Sequence, residues 1–309
     1  MPRPARRAAA LQAIAVTAFW SSSWLLIKYG LREGLPALTF AGLRYVLAFA
    51  CLVPLVALKA AHRRTIRDLR GRQWLQLAGL GLLVYAITQG AQFVSLAHLP
   101  AAVVTMLLNL TSVLVALFGA LFLRERLTGW QIAGVSASAA GVLLYFGRVG
   151  RGAHAGWGLV AALLCLLGNA GSSLAGRHIN RSAALAPLLV TCISMGVGGL
   201  TLLAVGLGTQ GLPQLTGIQW AVIVWLAMVN TALAFCVWNN SLRTLTAIES
   251  SMINNLMLPQ IALLAWLFLD EAQSARQIVG LALVMLGTLV VQLARAPRAA
   301  GTPARAGGT

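Results

Sequence analysis

Residues 95–145, SLAHLPAAVVTMLLNLTSVLVALFGALFLRERLTGWQIAGVSASAAGVLLY, lie over residues 241–291, SLRTLTAIESSMINNLMLPQIALLAWLFLDEAQSARQIVGLALVMLGTLVV, without a gap. Of the 51 aligned positions 18 are identical, among them Ser95, Leu99, Met106, Asn109, Glu125, Gly134 and Gly141 against Ser241, Leu245, Met252, Asn255, Glu271, Gly280 and Gly287. A shared richness in Leu, Ala and Gly does not produce that agreement, so the chain carries an internal duplication. What the duplication builds depends on the solvent around it.

That solvent is lipid. The 309 residues are 59% hydrophobic and only 9% charged, where a soluble domain carries roughly a quarter charged residues. Whole windows of about 20 residues lack charge, which a water-facing helix does not tolerate. Cys51, Cys165, Cys192 and Cys236 all fall in such windows without metal-type spacing, so they read as small core residues. The net charge of +17 sits mostly in short connections, the habit of cytoplasmic loops, and this excludes nucleic acid as the partner. The basic start, Pro2-Arg3-Pro4-Ala5-Arg6-Arg7, resembles a signal peptide, but no small-x-small cleavage site and soluble domain follow, so it is read as leading into a retained helix.

Apolar windows bounded by charge, Pro or Gly predict an all-α integral membrane protein of ten spans, near 11–30, 36–58, 73–97, 100–122, 129–147, 156–177, 185–208, 217–241, 247–268 and 274–294. The expected organisation is a basic N-terminus (1–10), a first five-helix repeat (11–147), a connecting loop (148–155), a second repeat (156–294) and a disordered tail (295–309). A cytoplasmic N-terminus places the basic run from Lys59 to Arg72, Arg124, Arg126 and the Arg-bearing C-terminus on one side, leaving Lys28, Arg32, Arg148, Arg151 and Arg276 on the other. Both termini are therefore expected in the cytoplasm. Five helices per half is an odd number, so the halves must cross the membrane in opposite directions. An inverted repeat lets two halves exchange conformations, the simplest geometry for alternating access, and this points to a transporter.

The chain also resembles the EamA-type branch of the drug/metabolite transporter superfamily. The resemblance rests on the paired five-helix halves, on Phe19-Trp20-Ser21-Ser22, on Leu43-Arg44, on Leu-Phe-Leu-x-Glu at 121–125 and 267–271, and on Gln-Ile-x-Gly at 131–134 and 277–280. Within that branch it is most similar to the aromatic amino acid exporters of the YddG type. The resemblance implies an inner-membrane protein whose spans 1–4 and 6–9 surround a central cavity, with spans 5 and 10 outside as supports. Gly134 with Gly141, and Gly280 with Gly287, would keep one face of each support flat, for packing within the chain or against a second copy, so a monomer or weak homodimer is expected. Pro259 matches the family pattern, whereas its mate is Val113, so any helix break there is expected to be one-sided.

Polar side chains inside hydrocarbon must pair with each other or line water, and they map the solute path. Tyr85, Gln89 and Gln92 follow i, i+4, i+7 spacing in the third span. The first offers Trp20, Ser23 and Trp24, the sixth Asn169, and the eighth Asn230, Trp238 and Asn239. The repeat mates Asn109 and Asn255 are expected to approach the axis from two sides. Each also has a structural reading as interhelical glue or interfacial anchor. Of the charges within spans, Arg44 is read either as a carboxylate site or as snorkelling outward. Glu249 is read either as an ammonium or proton partner or, in Thr246-Ala-Ile-Glu249, as a capping box. Arg44, Glu249 and Pro259 are the gating or coupling candidates, and Glu125 and Glu271 are expected to pair with nearby Arg at helix ends.

No Gly-x-x-x-x-Gly-Lys-Ser/Thr loop is present, so no direct ATP drive, cofactor or metal is expected. The expected activity is facilitated export or exchange of aromatic and other neutral amino acids, with membrane lipid as the other partner. Export of other metabolites, drugs or quaternary cations, with or without proton coupling, is the alternative. A membrane-embedded enzyme is remote, because His62, His98, His154 and His178 lie near loops and no Asp lies mid-span.

Overall fold

The computed structural model describes residues 3–122, 128–146, 153–182, 185–241, 244–245 and 247–294, and every regular element among them is a helix. The first two spans are α1 (Arg3–Arg32) and α2 (Ala37–Ala57), followed by a short basic helix α3 (Ala60–Arg67) with no buried residue. The third span is α4 (Gly71–Gly81), a π-helical segment Leu82–Gln89, and α5 (Gly90–His98). The fourth is α6 (Ala101–Asn109) and α7 (Thr111–Phe122), and the fifth is α8 (Gly129–Phe146). In the second half, α9 (Ala153–Ser182) and α10 (Pro187–Gln210) match α1 and α2. They are followed by α11 (Gly217–Ala227), a second π-helical segment Met228–Leu233, and α12 (Ala234–Ser241). The ninth span is α13 (Ala247–Asn255) and α14 (Met257–Leu269), and the tenth is α15 (Ala275–Ala294).

Nine of these rods are long and apolar enough to cross a membrane among the described residues; α8 lies along α15 as the tenth. The first begins at Arg3 rather than near residue 11, because the Ala-rich stretch ahead of Leu11 favours helix and holds no breaker beyond Pro4 in the first turn. The apolar windows of the sequence do not mark α3. Its residues AAHRRTIR are too polar to cross and too short for a span, so they lie exposed after α2.

The repeat extends to the irregularities. Both π-helical segments begin at mates, Leu82 and Leu82's counterpart Met228. Helix starts repeat too: Thr128 and Gln131 form reciprocal backbone-to-side-chain bonds, and so do Ser274 and Gln277, their counterparts. Spans 4 and 9 both break, at Leu110 and at its mate Leu256. The expected one-sided break at Pro259 is therefore corrected. Proline sits in the first turn of α14, where its missing N–H had no intrahelical partner, and Leu110 breaks without one. In each half the break residue's N–H bonds three residues back, Leu110 to the Leu107 carbonyl at 3.0 Å and Leu256 to the Ile253 carbonyl at 3.1 Å.

Packing is exchanged between the halves. α1 lies against α12, α13 and α14 of the second half, while α9 lies against α5, α6 and α7 of the first, and the mates α2 and α10 pack on each other. The mates α8 and α15 cross through their glycines: a Cβ on Gly134 would stand 2.6 Å from the Gly287 carbonyl oxygen, and one on Gly141 would stand 2.6 Å from that of Gly280. The two glycine pairs, Gly134 with Gly287 and Gly141 with Gly280, are symmetry copies of each other. The glycine faces are thus engaged within the chain.

Candidate functional site

A cavity of about 490 Å3 opens among spans 1–4, 6, 8 and 9. Its wall carries Trp20, Ser23 and Trp24 from α1, Arg44 and Tyr45 from α2, Gln89 and Gln92 from the third span, and Asn109 from the end of α6. The second half contributes Asn169 and Ser173 from α9, Asn230 and Phe235 from the eighth span, and Asn254 and Asn255 from the end of α13. Ten of the predicted positions thus share one wall. Tyr45, Thr105, Thr111, Ser112, Phe235, Asn254, Met257 and Gln292 also line it and were not predicted; Tyr45 follows Arg44 directly, and Ser112 and Gln292 are polar groups within apolar windows, a signal the reading passed over.

Arg44 is buried about 10 Å along α2 from its start. Its Nε donates to the Thr231 hydroxyl at 3.0 Å, and its guanidinium carbon lies 5.3 Å from the Tyr45 ring centre, within cation–π range. Thr231, within the π-helical segment, in turn donates to the Leu226 carbonyl at the end of α11 at 2.8 Å, five residues back. The distorted turn therefore holds the hydroxyl that holds the arginine. Among the described residues no carboxylate lines the cavity and no other hydrogen bond engages the guanidinium, so Arg44 faces inward rather than snorkelling to an interface.

The amides divide into engaged and open ones. Asn230 donates to the Phe19 carbonyl and to the Ser22 hydroxyl, fastening the eighth span to α1. Asn109 donates to the Thr105 carbonyl of its own helix at 3.1 Å, whereas its mate Asn255 donates at 2.9 Å to Gln292 of α15. Among the described residues the side chains of Gln89, Gln92 and Asn254 have no hydrogen-bond partner, and all three face the cavity. The expectation that span 10 stands wholly outside as a support is corrected by Gln292, which reaches the wall because α15 ends beside the break of α13 and α14.

Four predicted positions lie elsewhere. Tyr85 is buried behind the wall against Tyr45, ring centres 5.3 Å apart. The i, i+4 spacing with Gln89 assumed an α-helix, and the π-helical turn rotates Tyr85 off that face. Trp238 packs on Trp20 at 5.2 Å and backs the wall rather than lining it. Pro259 lines a separate apolar groove between α14 and α15, and Glu249 stands in the first turn of α13, away from the cavity. The side chain of Asn239, the proposed cap residue Thr246, Glu125 and the tail 295–309 lie outside the described residues.

At the end of the bundle where α1 and α14 finish, a second, polar cleft is closed by Lys28, Arg32 and Glu271. Lys28 donates to the carbonyls of Leu96 and Leu99 at 2.7 and 2.6 Å, and Arg32 donates to that of Leu269 at 2.8 Å. Glu271 does not serve chiefly as an arginine partner. Its carboxylate accepts the Ala101 N–H at 2.8 Å and caps α6 from across the bundle, with Asp270 in the left-handed region (φ 57°) turning the chain toward it. Burial pushes the Glu271 carboxyl up from its ordinary value, against the pull of Lys28 and the α6 amides. Among the described residues no group of His, Cys, Asp or Glu is placed to hold a metal.

The model of the EamA-like transporter family matches residues 7–147 and again 156–293. The chain is 25% identical over 289 residues to the "Probable amino-acid metabolite efflux pump" of Escherichia coli, covering 90% of this chain and 92% of that one. It is 27% identical over 295 residues to the "Probable terminal-alkyne amino-acid exporter" of Streptantibioticus cattleyicolor, covering 93% and 94%. A protein crystal structure with 19% identity superposes with a TM-score of 0.63 over 93% of this chain and 97% of that one, which shows the fold. The chain belongs to the EamA-like transporter family, and it is a membrane transporter rather than an enzyme.

Proposed function

We propose that this member of the EamA-like transporter family exports amino acids, aromatic and other neutral ones with broad specificity, across the inner membrane by alternating access. Arg44 is the observation that carries the reading. A guanidinium within an apolar bundle costs about 2.5–3.5 kcal/mol at mid-span, and here no carboxylate among the described wall residues offsets it. A solute carboxylate supplies the missing charge through paired N–H donors. The open amide oxygens of Gln89 and Gln92 accept from the solute ammonium. Trp20, Trp24 and Phe235 supply the apolar part of the wall for a side chain. A cavity of this size falls in the roughly 300–1,000 Å3 range of small-molecule sites.

The names of the two curated relatives point the same way, to amino-acid efflux. With no carboxylate on the described wall to carry a proton, the solute's own gradient or exchange supplies the drive. Positive residues concentrated at the α3 end support a cytoplasmic position for both termini, with the Glu271 cleft on the outer side. The internal engagement of the four glycines favours a monomer. The test is counterflow of labelled Phe, Thr and Met into preloaded liposomes without a pH gradient. Exchange is expected, and Arg44→Gln should raise KM for amino acids by roughly tenfold to a hundredfold, the worth of a charged hydrogen bond, while leaving amine analogues that lack the carboxylate unaffected. Exchange of a quaternary cation but no amino acid, or an unchanged KM in Arg44→Gln, refutes the reading.

A further inference from the structure

Gln292 joins the breaks of the two halves. Its Nε2 donates to the Ser112 hydroxyl at 2.6 Å, two residues beyond the break at Leu110. Its Oε1 accepts from the Asn255 amide at 2.9 Å, one residue before the break at Leu256. One side chain of a packing helix thus spans from the far side of one hinge to the near side of the other, and all three groups border the central cavity. The bridge has no symmetric copy. The mates of Asn255, Gln292 and Ser112 are Asn109, Phe146 and Leu258, so the corresponding bridge would need a phenyl ring and an isobutyl group to exchange hydrogen bonds. Asn109 turns instead to its own helix.

We propose that Gln292 is a positioning residue that favours the conformation described here over the one in which the halves have exchanged. This rests on the alternating-access part of the proposed function. When an inverted repeat switches sides, each half takes the conformation the other held. Hinge geometries are then exchanged, and contacts that depend on which half is which are lost unless their mates can replace them. The Asn255–Gln292–Ser112 bridge is such a contact. It stabilises one state, is released in the other, and weights the populations accordingly.

The experiment reads sidedness directly. Asn254→Cys, on the cavity wall, is labelled with a membrane-impermeant maleimide from each side of sealed vesicles, with the parent chain as background because its four cysteines are buried or half-buried. Gln292→Leu should shift the ratio of labelling rates by about tenfold away from the side favoured in the Asn254→Cys chain with Gln292 intact. Ser112→Ala, a gentler change, should shift it in the same direction, and the double variant should add little to the larger single effect. A purely structural role would lower yield or melting temperature without a directional change. Unchanged sidedness in Ser112→Ala, with or without a foldable Gln292→Leu, overturns the proposal. Parallel counterflow of amino acids keeps the two readings apart, since a shifted ratio with no amino acid exchange leaves this inference standing and removes the substrate assignment.

Discussion

Adding one methyl group to the glycine crossing of α8 and α15 tests the symmetry of the fold at its tightest point. At Gly141 a Cβ would stand 2.6 Å from the Gly280 carbonyl oxygen and 2.9 Å from the Val284 backbone nitrogen, against the 3.4 Å at which ordinary contact begins, a shortfall of 0.8 Å at the carbonyl. Backbone cannot rotate aside, so the helices must part by most of that distance. A gap of 0.5–1 Å already forfeits about a quarter to a half of each dispersion contact along the seam, and overpacking typically costs about 1–3 kcal/mol. Gly141→Ala should therefore lower the melting temperature of the detergent-solubilised protein, followed by tryptophan fluorescence, by several degrees. Gly287→Ala, which meets Gly134 O at 2.5 Å in the symmetry copy of that contact and the Ser138 hydroxyl closer still, should cost at least as much. Gly208→Ala in α10 supplies the opposite sign, because a Cβ there meets nothing within 4 Å and alanine favours helix by about 0.5–1 kcal/mol. A Gly141→Ala variant as stable as Gly208→Ala, or a Gly287→Ala variant clearly more stable than Gly141→Ala, contradicts this packing.

Glu271→Ala removes the cap on α6 and should cost about 0.5–2 kcal/mol of stability, whereas Glu271→Gln keeps an acceptor for Ala101 N–H and should cost less. Because burial raises the Glu271 carboxyl, the folded protein binds more protons than the unfolded chain between the ordinary and raised values. The contribution is full below the ordinary value and lost as pH rises through the raised one, so Glu271→Gln should flatten that decline in a melting series across acidic pH; an unchanged profile counts against the assignment. Asn255→Ala should slow transport about tenfold at normal membrane yield and Asn109→Ala by less, since only Asn255 reaches across to another helix; full activity in Asn255→Ala removes that residue from the working centre.

Most of the rods were legible because a charge-free window in lipid has few alternatives to helix, and Thr128 with Gln131 and Ser274 with Gln277 mark helix starts by local chemistry alone. The hinges were not. Neither Leu110 nor Leu256 differs in propensity from its neighbours, and the break arises where chains from both halves meet. The π-helical turns were equally silent, since an extra residue per turn is tolerated through tertiary contact, as where a Cβ on Gly168 would strike Thr88. That silence displaced Tyr85 from the wall while Gln89 and Gln92 kept their place. Gln292 escaped because a single amide near the end of an apolar helix carries no periodic signal, and its meaning lies in Ser112, 180 residues away.

The two kinds of information divide the molecule's work. Backbone features recur between the halves: the starts at Thr128 and Ser274, the π-helical segments from Leu82 and Met228, and the breaks at Leu110 and Leu256. Several side chains beside those features do not recur, with Ser112 against Leu258, Tyr85 against Thr231, and Phe146 against Gln292. A chain symmetric in both respects would populate its two facing states equally, because each state would be the other turned over. A chain asymmetric in backbone would lose the exchange of conformations itself. Keeping the hinges symmetric and a few polar groups beside them one-sided retains two accessible states while making their energies unequal, and every 1.4 kcal/mol of that inequality is a tenfold bias. Arg44 belongs to this asymmetric set, since its anchor Thr231 stands where the first half has Tyr85. The group proposed to recognise the solute is thus fastened to a π-helical turn that changes surroundings whenever the halves exchange, which gives solute charge a direct hold on the switch.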